Sequence, residues 1–298
     1  MSSRRMPTSS PSGSSRSRPT AQPWYSSPER KSASDMIRLG YHPATYVRQE
    51  IDPDTAIRDI AACGWSGFEW SPGTLRHAYE DPDAYARYLG EIGLGISGIY
   101  CSCSFADDAA IADWRSTVDA TIDFCGAIGC GYIVFDGGST TLQRDADTIQ
   151  SIAAEANRMG QRIVDAGLIC TWHQHWGTIF EYAAQFDALM AATDPGIIKC
   201  TPDTAQLALG DFDIPATFEK YLDRMHYVHF KDLDAERRFI ELGRGIVDFP
   251  PLAGMLQDGG FDGWVVTDLD YTSLDPRESS RHNLRYLRED LGFAAFEA

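Results

Sequence analysis

Residues 170–181 read C-T-W-H-Q-H-W-G-T-I-F-E and contain one complete transition from a strand to a helix. The apolar residues at its start predict a strand, and Gly177 predicts the loop that ends it. His173 and His175 are two residues apart, and alternate side chains of a strand point to the same face. We therefore expect two imidazoles, with Glu181 nearby, at the carboxyl end of a strand, an arrangement that suits a catalytic or metal site.

The same unit of strand, loop and amphipathic helix recurs along the chain. Strands are predicted at 37–41, 67–70, 95–101, 132–135, 168–173, 197–201, 226–230 and 264–268. Helices are predicted at 54–62, 81–92, 109–127, 146–166, 179–192, 214–222, 251–257 and 276–291. Eight alternating pairs predict an α/β fold, a single-domain (β/α)8 TIM barrel. The alternative is an open doubly wound sheet, which usually carries an early glycine-rich phosphate loop that is missing here.

The chain divides by composition into a tail and a body. Residues 1–35 are rich in Ser, Pro and Arg and cannot bury a core, so we predict a disordered tail. Residues 36–298 form the predicted TIM-barrel catalytic domain, and Met36 is an alternative first residue. The tail holds six of the 26 Lys and Arg and two of the 43 Asp and Glu, which leaves the body 20 against 41, a net charge of −21. A body this acidic repels phosphate backbones, so we expect no nucleic-acid partner.

Two other whole-chain features bear on where in the cell the protein is expected. No run of 18 or more apolar residues occurs, so we expect no membrane association. The seven cysteines lie mostly in apolar segments, and no two have the spacing of a C-x-x-C motif. This pattern is typical of reduced, buried thiols in a cytoplasmic protein.

Residues that can do chemistry concentrate at the predicted strand ends, which in a barrel all meet at one mouth. Five of the seven histidines lie at or near these ends. From the second strand to the eighth, the candidate residues are Glu69, Asp136, His173, His175, Asp203, His229, Lys231, Asp268 and Asp270.

Three of these residues suit a divalent metal ion that keeps positions open for substrate. Asp203, His229 and Asp268 lie on three successive strands and so could converge on one point. Glu181 could reach the same point from the fifth strand, and His175 is the alternative ligand from that strand. The alternative for Glu181 is a capping box with Thr178, which would satisfy the first N–H groups of a helix.

The remaining candidates also have two interpretations. His173 and His175 suit a general base, because the pKa of a neutral histidine lies near working pH. Each could instead be a core histidine bonded to backbone carbonyls. Lys231 is a candidate catalytic residue, and its alternative is a surface ion pair with Asp232, which would contribute little.

Three motifs resemble a known group of enzymes. They are the H-x-H-x-G-T-x-x-E run at 173–181, the H-x-x-H-x-K-D element at 226–232 and the G-R-G-I-V-D-F segment at 243–249. Together they resemble the sugar phosphate isomerase/epimerase superfamily, the xylose-isomerase-like barrel, with inosose dehydratase as the nearest branch. The resemblance extends over residues 36–292.

The resemblance implies a divalent metal ion, preferably Mn²⁺, with Mg²⁺ or Co²⁺ as alternatives. In the superfamily two Glu, one Asp and one His hold the ion. The matching positions here are Glu181, Asp203, His229 and Asp268, of which Asp268 departs from Glu. The expected catalytic residues are His173, His175 and Lys231. The expected substrate-binding residues are Glu69, Asp136, Asp270 and Arg244.

The activity implied is proton abstraction next to a carbonyl on a keto-sugar or keto-inositol, as in an inosose dehydratase-like lyase. A sugar isomerase/epimerase or a C-glycoside deglycosylating enzyme of the same superfamily is the alternative. A barrel that binds a sugar without turnover is an alternative of another class. The expected partner is a small keto-sugar or polyol, and a homo-oligomer is compatible with this interpretation.

Overall fold

A computed structural model describes residues 37–294 of the chain, so the predicted tail, residues 1–35, lies outside the described part. The strands are β1 Arg38–His42, β2 Gly67–Trp70, β3 Gly95–Cys103, β4 Tyr132–Gly137, β5 Ile169–His173, β6 Ile198–Thr201, β7 Tyr227–Phe230, β8 Asp232–Leu233, β9 Phe239–Ile240 and β10 Trp264–Asp268. The helices are α1 Ala44–Arg48, α2 Pro53–Cys63, α3 Arg76–Glu80, α4 Pro82–Ile92, α5 Asp108–Ile128, α6 Ala146–Asp165, α7 Ala183–Ala192, α8 Thr204–Leu209, α9 Ile214–Tyr221, α10 Phe249–Asp258 and α11 Pro276–Arg285.

Eight parallel strands form the barrel, in the order β6-β5-β4-β3-β2-β1-β10-β7. The ring closes between β6 and β7, where the N–H of His229 donates to the carbonyl oxygen of Pro202 at 2.9 Å. Helices lie between successive strands, and the predicted (β/α)8 TIM barrel is confirmed. All carboxyl ends of the strands therefore meet at one mouth.

The barrel interior is filled by alternate residues of the strands. Tyr132, Val134, Tyr227, Trp264 and Val266 pack together inside the ring as a small apolar cluster. The intervening residues point outward and join the larger core beneath the helices. Because the period of a strand is two, the inward positions that follow toward the mouth carry the polar site residues.

Aspartate accounts for most helix starts, which partly explains the acidic composition. The side chains of seven aspartate N-caps each accept a backbone N–H of their own helix: Asp52, Asp81, Asp107, Asp145, Asp203, Asp213 and Asp275. Each cap satisfies a donor that the helix itself leaves unpaired. Within residues 37–294 no helix is both long and apolar enough to cross a membrane.

Several short elements at the mouth were not predicted from the sequence. They are α1, α3, α8 and the antiparallel pair of β8 and β9. The helix predicted at 179–192 begins later, at Ala183, and its N-cap is Tyr182. The capping box with Thr178, the alternative interpretation of Glu181, is therefore wrong. The hydroxyl of Thr178 donates instead to the carbonyl oxygen of His175 at 2.9 Å and accepts from the N–H of Phe180 at 3.1 Å.

Candidate active site at the barrel mouth

Three buried side chains from neighbouring strand ends come together at the mouth: His173, Asp203 and His229. One nitrogen or oxygen from each lies within 4.8 Å of the others. Nε2 of His173 is 3.5 Å and Nδ1 of His229 is 3.7 Å from the same oxygen, Oδ2 of Asp203. We call this group the His–Asp–His cluster.

The position of Asp203 follows from its place in the chain. It lies just past β6 and is the N-cap of α8. Its Oδ1 accepts the backbone N–H groups of Ala205 at 3.0 Å and Gln206 at 2.9 Å. The cap fixes the carboxylate in one orientation, and Oδ2 is left to face the two imidazoles.

Each imidazole of the cluster is bonded through its far nitrogen to a residue deeper in the barrel. Nδ1 of His173 is hydrogen bonded to the hydroxyl of Tyr100. Nε2 of His229 lies 3.1 Å from Oε2 and 3.3 Å from Oε1 of Glu69, which has no exposed side-chain surface. A carboxylate oxygen accepts, so Nε2 of His229 carries the proton.

A buried lysine lies beside the cluster. The ammonium of Lys231 donates to Oδ2 of Asp268 at 3.0 Å and also to Asp270. Its side chain has 0% exposure, and Nζ lies 4.4 Å from the centre of the Phe239 ring. The alternative of a surface ion pair between Lys231 and Asp232 is therefore wrong.

Asp268 connects the lysine to the cluster. Its Oδ2 is 4.0 Å from Nδ1 of His229, and its Oδ1 is 3.4 Å from Nδ1 of His42. Asp270, two residues later, accepts from the Arg48 guanidinium at 2.8 Å on the open side of the mouth. Both carboxylates therefore border the same polar space.

Mutual electrostatics set the charges of these buried groups. Burial opposes the charged form of His229, but Glu69 and Asp203 outweigh burial and raise the pKa of His229 to about 10. Burial, together with the neighbouring His229, lowers the pKa of His173. Burial disfavours the Lys231 ammonium, yet the nearby carboxylates raise its pKa.

Burial and neighbouring cations also have opposite effects on the pKa values of Asp203 and Asp268. Burial on its own raises the pKa of each acid. For Asp203, Lys231 and the two imidazoles of the cluster reverse this effect and lower its pKa. For Asp268, Lys231 and His42 do the same. With no metal bound, the site therefore combines ionised Asp203, Asp268 and Lys231 with one protonated and one neutral imidazole.

His175 lies at the edge of the cluster and is half-buried. Its ring centre is 5.5 Å from that of His173. Its Nδ1 donates to the carbonyl oxygen of Trp176, and its Nε2 lies 3.3 Å from Nε2 of Gln206. A carbonyl oxygen only accepts, so in the neutral ring Nε2 carries the lone pair and accepts from the Gln206 amide.

Glu181 lies outside the His–Asp–His cluster. One of its oxygens pairs with Arg144, and the other accepts the N–H of Gly177 at 3.1 Å. The Arg144 guanidinium also lies 5.0 Å from the centre of the Tyr182 ring. Gly177 has a positive φ of 81°, a conformation that suits glycine, so Glu181 fastens the tight turn that follows His175.

The four predicted substrate-binding residues lie in different environments. Glu69 is buried behind His229, whereas Asp270 is at the open side. Asp136 is buried at the carboxyl end of β4, and its Oδ1 has no hydrogen-bond partner within the described residues. Arg244 is largely exposed, with Nη1 3.5 Å from Oε2 of Glu241.

Arg244 belongs to a loop that one buried carboxylate organises. Asp232 accepts the backbone N–H groups of Gly243 at 3.0 Å, Gly245 at 2.9 Å and Val247 at 3.1 Å. A Cβ at position 245 would lie 2.3 Å from Oδ1 of Asp232, so this approach requires glycine. The G-R-G motif thus serves to fold this loop against β8.

A family model described as xylose isomerase-like TIM barrel matches residues 57–290 of the chain. The chain belongs to this family. Inosose dehydratase of Lacticaseibacillus casei is 30% identical over 273 residues, which span 80% of this chain and 90% of that enzyme. The resemblance inferred from the sequence motifs is therefore confirmed.

Two solved structures illustrate that the fold is shared with other proteins. The probable 3-DHS dehydratase AsbF from Bacillus anthracis superposes with a TM-score of 0.72 at 12% identity, covering 85% of this chain and 99% of its own. The IOLI protein with a bound zinc atom superposes with a TM-score of 0.71 at 13% identity, covering 88% and 100%. At these identities the likeness is one of fold.

The cluster has donor atoms of the kinds that could hold a divalent metal ion. Its ligand atoms are separated by distances close to those between ligands that share one ion at about 2.1 Å. Nδ1 of His229 is buried and has no hydrogen-bond partner among the described residues. Asp203 presents Oδ2 in a fixed orientation because α8 holds Oδ1. The donor set is therefore preformed.

Four residues of this site were missed from the sequence. Tyr100 lies inside an apolar strand and has no motif, although its place near the carboxyl end of β3 was a usable signal. Arg144 comes from a loop and contacts Glu181, and Gln206 comes from α8 and contacts His175; both contacts depend on the closed barrel. Asp232 was noted in the H-x-x-H-x-K-D element, but its role in folding the loop at Gly243 and Gly245 was not predicted.

Proposed function

We propose that this protein is a metal-dependent enzyme that removes a proton next to the carbonyl of a keto-inositol or keto-sugar, most like an inosose dehydratase. The observation that carries the proposal is the preformed His–Asp–His cluster beside a buried lysine and a half-buried histidine at the barrel mouth. The inosose dehydratase relatives, at 22–30% identity, support this class of substrate.

The proposed metal ligands are His173, Asp203 and His229, with Asp268 as a fourth. We assign the fifth-strand ligand to His173 instead of Glu181, because the oxygens of Glu181 are occupied by Arg144 and a backbone N–H. Two imidazoles favour Zn²⁺, Co²⁺ or Fe²⁺ over the initially expected Mn²⁺ or Mg²⁺. Such an ion would supply Lewis-acid polarisation of the substrate oxygens.

His175 is the proposed general base. Its Nε2 carries the lone pair and is held by an amide donor that a substrate could replace, and its ring centre lies 5.5 Å from that of His173. The loop fastened by Glu181 and Arg144 fixes the backbone on which the ring is mounted. His173 is better suited to hold the metal, because it has almost no exposed surface and is bonded at both nitrogens.

Lys231 is the proposed acid and electrostatic partner. Its ammonium is fixed by Asp268 and Asp270 and is ready to donate to a substrate oxygen that gains negative charge or leaves as water. Asp136, Asp270 and Arg244 stay proposed substrate-binding residues, and the partnerless Oδ1 of Asp136 is suited to a sugar hydroxyl.

An epimerase or isomerase is the second candidate. His175 and Lys231 come from different strands, so two acid–base groups could act on different faces of one carbon. The seven free thiols fit a reducing compartment, and we propose a cytoplasmic location on that ground.

The test is a screen of keto-inositols, keto-sugars and 3-keto-glycosides in heavy water, in which NMR measures deuterium incorporation into each compound. We expect deuterium to enter at the carbon next to the carbonyl of at least one substrate. Chelation should abolish exchange, and Zn²⁺ or Co²⁺ should restore it. Loss of water would identify a lyase, whereas an inverted centre would identify an epimerase. Absence of exchange in every substrate, with metal saturating, would contradict the proposal.

A further inference from the structure

Glu69 lies behind the His–Asp–His cluster, away from the open mouth. It is the third residue of β2, and its side chain has 0% exposure. Both of its oxygens approach one atom, Nε2 of His229, at 3.1 and 3.3 Å. A side chain with no exposed surface is poorly placed to contact substrate, which leaves its buried charge to be explained.

We propose that Glu69 is a positioning residue for the metal centre. By accepting from Nε2, it keeps the proton on that nitrogen and leaves Nδ1 of His229 as the metal-binding atom. This inference rests on the proposed function, because it concerns the same centre. It replaces the initial expectation that Glu69 binds substrate.

The geometry around Nδ1 supports this assignment. Nδ1 of His229 has no hydrogen-bond partner in the described part of the chain, and it lies 3.7 Å from Asp203 and 4.0 Å from Asp268. Metal-binding histidines usually donate their second N–H to a carboxylate or carbonyl, which fixes the tautomer and the ring orientation. The Glu69–His229 pair has this arrangement.

His173 repeats the pattern with a different partner. Its Nδ1 is bonded to the Tyr100 hydroxyl, and its Nε2 faces the same Asp203 oxygen at 3.5 Å. Two residues on β2 and β3 thus orient two imidazoles toward one point. An arrangement that served only to fill the barrel would not require the second nitrogen of each ring to face a single carboxylate oxygen.

The experiment compares wild type with Glu69→Ala, Glu69→Gln and a matched control, Ser97→Ala. Ser97 is also fully buried and is bonded to the Tyr227 hydroxyl at 2.8 Å, and no bond joins it to His229 among the described residues. The dissociation constant for Zn²⁺ is measured by competition with a chromophoric chelator, and the melting temperature is measured without metal. Long-range ¹H–¹⁵N NMR of the zinc-loaded wild type identifies the protonated nitrogen of His229.

We expect Glu69→Ala to weaken zinc binding by roughly 10- to 100-fold. Glu69→Gln should recover much of this loss because its amide oxygen still accepts from Nε2. Ser97→Ala should bind zinc like wild type even if its melting temperature falls. NMR should find the proton on Nε2 and the metal on Nδ1.

The inference is overturned if Glu69→Ala binds zinc as tightly as wild type, if Ser97→Ala loses as much affinity, or if NMR finds the metal on Nε2. The NMR result needs no variant, so a failure of Glu69→Ala to fold does not remove the test. If wild type itself binds no zinc, the proposed metal centre fails and this inference fails with it.

Discussion

Replacing Lys231 by Met tests the buried charge network directly. The substitution keeps an unbranched side chain of similar length but removes the ammonium that lies 3.0 Å from Asp268 and also contacts Asp270. Two carboxylates that are mostly buried, with 12% and 23% exposure, would lose their shared cation. Removing one partner of a buried ion pair costs about 3–5 kcal/mol.

We expect the lower end of that range, about 3 kcal/mol, because His42 and Arg48 still contact the two carboxylates. For a chain of this size the loss corresponds to a fall in melting temperature of about 6–12 °C. Lys220→Met is the matched control. Lys220 pairs with Asp187 at 2.7 Å, but both side chains are about half exposed, so that pair contributes at most about 1 kcal/mol.

The assay is urea unfolding of the metal-free proteins, monitored by circular dichroism. Thermal melts are a second measurement. We expect the unfolding free energy of Lys231→Met to fall clearly below that of Lys220→Met. Equal unfolding free energies for Lys231→Met and Lys220→Met would refute it, because the burial of the cation would then have no energetic consequence.

Three further predictions concern the site. His175→Ala should lower the rate of α-proton exchange by roughly 10²–10⁴-fold with unchanged metal content, and loss of the metal would contradict the assignment of His175 as base. The apparent zinc affinity should rise by up to about tenfold per pH unit from pH 6 to 8, since zinc must displace the proton that His229 holds with a pKa of about 10; a flat profile would show that no proton is displaced. Glu181→Gln should retain the metal but lower the melting temperature, because the substitution removes the ion pair with Arg144. Loss of metal in this variant would show that Glu181 is a metal ligand after all.

The barrel could be predicted because its signals are local and repeated. Short apolar runs followed by amphipathic helices define each unit, and the predicted strands agree with the observed ones within a few residues. The short mouth elements, including α8 and the pair of β8 and β9, lack such periodicity. Their conformation depends on contacts such as the Asp232 carboxylate with the loop at Gly243 and Gly245.

The sequence predicted which strand ends carry the site residues, but it did not predict which of these residues contact one another. His173, Asp203 and His229 were found because the parallel topology brings strand ends together. From the sequence, the fifth-strand ligand was expected to be Glu181, with His175 as the alternative, whereas the fifth-strand residue in the cluster is His173. That choice depends on Arg144, which comes from the preceding loop and occupies the carboxylate of Glu181.

The sequence also could not predict whether the Glu69 side chain faces the open mouth or the buried layer behind it. Inward-facing positions of a barrel strand include both the open mouth and the buried layer behind it. Only the closed ring brings β2 and β7 close enough for Glu69 to meet His229. The burial of Lys231 has the same origin, since its carboxylate partners come from β10 and the loop after it.

The central claim is that the His–Asp–His cluster is a metal centre, and the metal content of purified protein tests it most directly. Elemental analysis of wild type after dialysis against Zn²⁺ should give about one ion per chain. Asp203→Asn, which leaves Oδ1 available to cap α8 but replaces the charged oxygen that faces both imidazoles, should lose most of it. Full zinc occupancy in Asp203→Asn, or none in wild type, would contradict the account.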